Sequence, residues 1–203
     1  MKILCVGHNY KAHLKEMGVP MPTEPTIFAK PDTALLNNNK PFYIPDFSDN
    51  VQYETELVVR ISKNGKYIHP DFAKNHYNEI ALGVDFTARD LQAKYKAKGL
   101  PWLLAKGFDN SAPVSEFIKL DELPDAKNIN FKGLLNNEIV QTGNSSDMIF
   151  DFDFLISYIS KFITLREGDI IFTGTPSGVG KVNIGDNFTG YIEDCQLLDF
   201  KIK

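Results

Sequence analysis

Tyr53-Glu54-Thr55-Glu56-Leu57-Val58-Val59 is the segment that most constrains how this chain folds. In an extended strand, residues i and i+2 point to the same face, so Glu54 and Glu56 aim at one region about 7 Å across. The other face, Tyr53, Thr55, Leu57, Val59 and Ile61, is mostly apolar and suits packing on a core. Two readings stand side by side. One is a half-buried strand whose glutamates face water. The other is a set of hard oxygen donors for a divalent cation such as Mg²⁺ or Mn²⁺. Asp85, in Gly83-Val84-Asp85-Phe86-Thr87-Ala88-Arg89-Asp90, supplies the third carboxylate that the second reading needs.

The rest of the chain reads as strands around a few short helices. Strands are expected over 1–7, 26–30, 51–62, 80–86, 131–135, 138–141, 170–173, 187–193 and 196–202. Asn136-Asn137 tolerates positive φ and suits a tight hairpin turn. Helices are expected over 9–17, closed by Gly18, near 70–77, over 152–163, and from Thr87 to about residue 98. Thr87-Ala88-Arg89-Asp90 has the form of a capping box, which would start that last helix. Helices do not alternate regularly with strands, so the fold class is α+β with a mixed or antiparallel sheet. At 203 residues, one domain over 1–203 accounts for the whole length.

Composition removes several alternatives. A net charge of −4, with lysines scattered among acids, argues against nucleic acid as a partner. No apolar run reaches the roughly 18–20 residues of a membrane span. The N-terminal segment is too short for a secretory signal. Cys5 and Cys195 lie far apart without metal spacing, which fits reduced thiols in a cytoplasm.

Several side chains could carry chemistry. His13 and Glu16 stand at i and i+3, where a helix brings them together. A carboxylate there fixes the tautomer of a histidine acting as general base, although an exposed helical pair has the same spacing. Lys30 and Lys106 each follow an apolar stretch, and each could balance carboxylates, hold an anion or close an element at the surface. Thr173-Gly174-Thr175-Pro176-Ser177-Gly178-Val179-Gly180-Lys181 lacks the spacing of a nucleotide-binding loop. Its glycines and Thr175 still suit a loop that brings backbone amides to a small anion, or a plain turn. Gln92, one turn into the helix after Asp85, could bond a substrate or solvent.

The order of these signals is more specific than any one of them. Gly7-His8-Asn9-Tyr10, His13, Glu16 and Gly18 come first, then Phe28-Ala29-Lys30 and Glu54-x-Glu56-Leu57. Asp85-x-Thr87-Ala88-Arg89-Asp90-x-Gln92, Pro101-Trp102 and Ala105-Lys106-Gly107-Phe108-Asp109 follow. Met148-Ile149-Phe150, Glu167-Gly168-Asp169 and Thr173-Gly174-Thr175-Pro176-x-Gly178-Val179-Gly180 complete the series. The series resembles the fumarylacetoacetate hydrolase family over essentially the whole chain, most closely its acylpyruvase and oxaloacetate decarboxylase branch. That resemblance implies a mixed β-roll and a homodimer. It implies Glu54, Glu56 and Asp85 as ligands of Mg²⁺ or Mn²⁺, and His13 with Glu16 as a dyad on a mobile lid. Lys106, Lys30, Gln92 and Thr175 would line the pocket of a small 2-oxo acid, Lys106 also stabilising its enolate. The implied reaction is hydrolysis of acylpyruvates, with decarboxylation of oxaloacetate beside it. Isomerisation or decarboxylation of unsaturated 2-oxo dicarboxylic acids is the alternative, and a silent binding module the more distant one. His8 departs from the family, whose members often carry Arg there.

Overall fold

Residues 1–203 are described by a computed structural model. The first half runs β1 (Ile3–Gly7), α1 (Lys11–Met17), β2 (Thr26–Lys30), β3 (Leu35–Leu36), β4 (Val51–Tyr53), β5 (Thr55–Ile61), β6 (Tyr77–Val84), β7 (Thr87–Ala88), α2 (Arg89–Ala97) and α3 (Leu103–Lys106). The second half runs β8 (Ala112–Pro113), β9 (Ile118–Lys119), β10 (Asn130–Leu135), β11 (Glu138–Asn144), α4 (Phe152–Phe162), β12 (Ile170–Phe172), β13 (Gly180–Lys181), β14 (Asn187–Ile192) and β15 (Cys195–Lys201).

A six-stranded sheet ordered β2-β1-β12-β5-β6-β9 carries the site. Only β1 and β12 pair in parallel within it, so the sheet is mixed, as the α+β reading expects. A four-stranded antiparallel sheet, β11-β10-β14-β15, packs beside it. Two small sheets, β13-β4-β7 and β3-β8, complete the roll. The main core gathers 31 buried side chains between these layers. At its centre Phe42 stacks on Phe86 with centroids 3.9 Å apart, and Phe200 bridges Phe86 to Phe188. The Asn136-Asn137 turn has φ of 53° and 69°, the left-handed pair a two-residue hairpin requires.

Three expectations need correction. The strand over 51–62 is broken at Glu54 into β4 and β5, which belong to different sheets. The cause is tertiary: the Glu54 carbonyl accepts Asp85 N–H, and Thr55 N–H goes to the Gln141 side chain rather than a ladder partner. The glutamate face is not wet, because Glu54 and Glu56 are buried as completely as the core face. The capping box does not form. Thr87 lies in β7 with its hydroxyl on the Asp85 carbonyl, while Asp90 accepts from Ser48 and Asp49. The short helix expected near 70–77 forms as a 3₁₀ helix over Pro70–His76, and a short α3 appears where no helix was expected.

Candidate metal and substrate site

The break at Glu54 builds the site. Glu54 leaves the end of β4, Glu56 lies on β5, and Asp85 follows the neighbouring strand β6, whose Val84 pairs with Thr55. One oxygen from each of these carboxylates lies within 4.8 Å of the others. All three are buried, with Asp85 only 1% exposed. Three carboxylates this close and this dry repel one another, so cations must be near. Lys106 Nζ donates at 2.7 Å to both Glu54 Oε2 and Asp85 Oδ2. Arg89 donates to the other oxygen of Glu54. Lys30 Nζ lies 2.7 Å from Asp85 Oδ1.

Lys30 is shared. Beside its ion pair with Asp85 Oδ1, its ammonium donates to Phe86 O at 3.3 Å, Ser111 O at 2.9 Å and Ser111 Oγ at 3.0 Å. An ammonium has three protons for these four oxygens, so Asp85 Oδ1 is a buried carboxylate oxygen met chiefly by charge. A buried acceptor without a full hydrogen bond costs stability, and a hard cation suits it. The donor set therefore fits Mg²⁺ or Mn²⁺. The titration of the site agrees in direction. Burial, Asp85 and Glu54 push the Glu56 carboxyl well above its usual range. Burial also opposes the charge of Glu54, but Lys106 and Arg89 outweigh it and hold that carboxyl well below its usual range. Lys106 follows the same logic. Burial lowers it, Asp85 and Glu54 raise it further, and the ammonium persists.

His13, Gln92 and Thr175 line the same cavity as the three carboxylates and Lys106. Glu16 and Lys30 stand behind it, the first bonded to His13 and the second paired with Asp85. His13 Nδ1 lies 2.9 Å from Glu16 Oε2. A carboxylate only accepts, so Nδ1 carries the proton and Nε2 presents a lone pair. The free volume between these side chains is about 20 Å³, room for roughly one water.

The glycine loop binds anions, but they are the protein's own. Gly174 N–H donates to Glu56 Oε2 at 2.7 Å, and Gly178 N–H to Glu16 Oε1 at 3.0 Å. Both glycines are required. Each has φ near 100°, and a Cβ would lie 2.6 Å from Asn9 Cβ or 2.3 Å from Val140 O respectively. Gln92 accepts from Arg89 Nη1 at 2.7 Å, which turns its amide nitrogen away from the guanidinium.

Two contributors escaped the sequence reading. Arg89, inside the capping-box pattern, bonds Glu54, Gln52 and Gln92. Its position four residues after Asp85 was the available signal. Gln141 is buried and bonds Thr55 and Thr175 from another sheet, and nothing in its local sequence marks it.

Buried carboxylates matched by fixed cations face a histidine–glutamate pair across a narrow cavity, a constellation suited to enzyme chemistry. Comparison with known proteins gives the family. The fumarylacetoacetate hydrolase C-terminal family model matches residues 2–202, and the chain belongs to that family of enzymes. It is 42% identical over 201 residues to the mitochondrial oxaloacetate tautomerase FAHD1 of Bos taurus, covering 99% of this chain and 91% of the relative. The oxaloacetate tautomerase YcgM of Escherichia coli K12 is 42% identical over 189 residues, covering 93% and 86%. The fumarylpyruvate hydrolase of Pseudomonas aeruginosa, solved with Mn²⁺ and pyruvate, superposes with a TM-score of 0.94 at 34% identity, covering 100% and 89%. No helix here is long and apolar enough to cross a membrane.

Proposed function

We propose that this protein is a divalent-metal-dependent tautomerase of oxaloacetate-type 2-oxo acids. The buried cluster of Glu54, Glu56 and Asp85, with one oxygen of each within 4.8 Å of the others, is the observation that carries the reading. Charge supports it too. Three carboxylates meet Lys30, Lys106 and Arg89, so a divalent ion leaves two positive charges for a dicarboxylate to neutralise. Glu54, Glu56 and Asp85 would hold Mg²⁺ or Mn²⁺, which would supply Lewis-acid polarisation of a 2-oxo oxygen.

The residues do the rest. The C3–H bond breaks towards His13 Nε2, its electron pair forms the C2–C3 double bond, and the 2-oxo oxygen takes the negative charge. Two of the three Lys106 protons go to Glu54 and Asp85, which leaves the third for that oxygen. Because this donor is fixed before reaction, it favours the enolate over the ketone. Glu16 steadies the imidazolium that forms, and proton return to oxygen gives the enol. The cavity is smaller than any such substrate, so α1 moves to admit it and closes again as a lid.

A second reading shares the enolate. Attack of water on the distal carbonyl of an acylpyruvate, assisted by His13, breaks the C–C bond and releases the same pyruvate enolate. The fumarylpyruvate hydrolase neighbour favours it. Loss of a distal carboxylate as CO₂ would do likewise. Oxaloacetate, acetylpyruvate and fumarylpyruvate tested side by side with Mg²⁺ decide between them. Keto–enol exchange of oxaloacetate is expected to exceed the Mg²⁺-only rate by at least about tenfold and to vanish with chelator. Hydrolysis of the acylpyruvates without that exchange would overturn the first reading in favour of the second.

The homodimer is part of this proposal. Leu104, Leu103 and Phe47 are 65%, 54% and 53% exposed around an apolar groove of about 780 Å³. A second groove of about 360 Å³ adjoins it at Ala29 and Leu103. An apolar surface of this extent marks an interface. Leu104→Glu is expected to turn a dimer into a monomer in sedimentation equilibrium. A wild-type monomer at about 10 µM, a concentration where interfaces of ordinary affinity stay closed, would contradict it.

A further inference from the structure

Gln141, on β11, reaches the site from the four-stranded sheet and is 2% exposed. Its Oε1 accepts Thr55 N–H at 2.8 Å, and its Nε2 donates to Thr175 Oγ1 at 2.9 Å and to the Pro176 carbonyl at 3.0 Å. A backbone N–H only donates and a carbonyl only accepts, so chemistry fixes which way this amide faces. The same bookkeeping then applies to Thr175. Its hydroxyl has one proton and two lone pairs. The Thr55 carbonyl, 2.9 Å away, takes the proton, and Gln141 occupies one lone pair. Thr175 lines the cavity, and a lone pair is all it has left to offer there.

We propose that Gln141 is a positioning residue that grips both Thr55 and Thr175 and so keeps the Thr175 proton on the Thr55 carbonyl, which leaves the site an acceptor that favours a ligand with a hydroxyl proton over one with ionised oxygens alone. The class selected is the enol of a 2-oxo acid, or a 2-hydroxy acid that resembles it. This deepens the enolising function and rests on it for its biological sense, but the wiring is independent of turnover. It also corrects the simpler picture in which Thr175 donates to an anion. Thr55 lies between Glu54 and Glu56, so one amide holds both the acceptor wall and the backbone of two carboxylates.

Calorimetric binding in saturating Mg²⁺ tests it with two stable probes. Lactate carries a hydroxyl proton beside its carboxylate, whereas oxalate has none. Thr175→Val and Gln141→Met are each expected to lower the lactate-to-oxalate affinity ratio by about tenfold. The double variant is expected to match the worse single variant, because Gln141 acts through Thr175. Thr175→Ser should keep the wild-type ratio. Gln141→Asn, whose shorter side chain cannot reach Thr55 and Thr175 together, should lower it and serves if Gln141→Met does not fold. An unchanged ratio, equal loss of both ligands, or losses that multiply in the double variant would overturn the proposal. A wild-type protein that shows the expected ratios yet leaves oxaloacetate unchanged would sink the tautomerase reading and leave the wiring intact.

Discussion

Glu56→Gln is expected to give a more stable metal-free protein that has lost its activity. The Glu56 carboxyl is buried, and Asp85 and Glu54 add like charge, so its pKa in the fold lies well above the usual value. Raised in the folded state, the group contributes its full stability below the unfolded carboxylate range, around pH 4. That contribution is lost as pH climbs through the range towards the folded value. Glutamine is neutral throughout and can still accept Gly174 N–H. At neutral pH the metal-free variant should therefore melt at least about 2 °C above wild type, and the gap should close near pH 4. Added Mg²⁺ should raise the melting temperature of wild type but not of the variant. Losing several kcal/mol of transition-state stabilisation should cut turnover by on the order of 10³-fold. Scanning calorimetry across pH, with and without Mg²⁺, gives both readings. A variant that is destabilised when metal-free, or that still responds to Mg²⁺, would show that Glu56 is an ordinary structural carboxylate.

The second large effect falls on His13. It touches no metal-binding carboxylate through a hydrogen bond, and its only bonded partner is Glu16. His13→Ala should thus leave Mg²⁺ affinity within about threefold of wild type while lowering turnover by on the order of 10²–10⁴-fold, the usual worth of a general base. Deuterium uptake at C3 of oxaloacetate, followed by NMR in D₂O, reports the proton transfer itself. Exchange at the wild-type rate in His13→Ala would remove it as the base. Glu16→Gln should fall between the two, because the imidazole keeps its place but loses the charge that steadies its protonated form.

Much of this site could be read from the chain because its acidic donors are close in sequence to paired strands. Glu54 and Glu56 flank Thr55 at the start of β5, and Asp85 directly follows β6, whose Val84 pairs with Thr55. His13 and Glu16 meet through helical spacing, and the structure places Nδ1 on the carboxylate. What stayed hidden comes from long range. Gln141 bonds Thr55 across 86 positions, and Lys30 bonds Ser111 across 81, distances at which no local pattern exists. The burial of the glutamate face was hidden for the same reason. Alternation shows which side chains share a face, but only the packing of α1, α2 and the 173–180 loop decides whether that face is wet. Arg89 illustrates a different failure. Thr87 and Asp90 match a capping box in spacing, but β7 pairs with β4 and draws both residues into other bonds. Tertiary pairing overrode a local signal.

Glu54, Glu56 and Asp85 are expected to bind together one hard divalent ion that makes enolate formation feasible. Anomalous diffraction from crystals grown with Mn²⁺ should then show one strong peak bonded to all three carboxylates, with Asp85 Oδ1 among the ligands. A featureless map between those side chains, from a preparation that enolises oxaloacetate in the same Mn²⁺ solution, would contradict it.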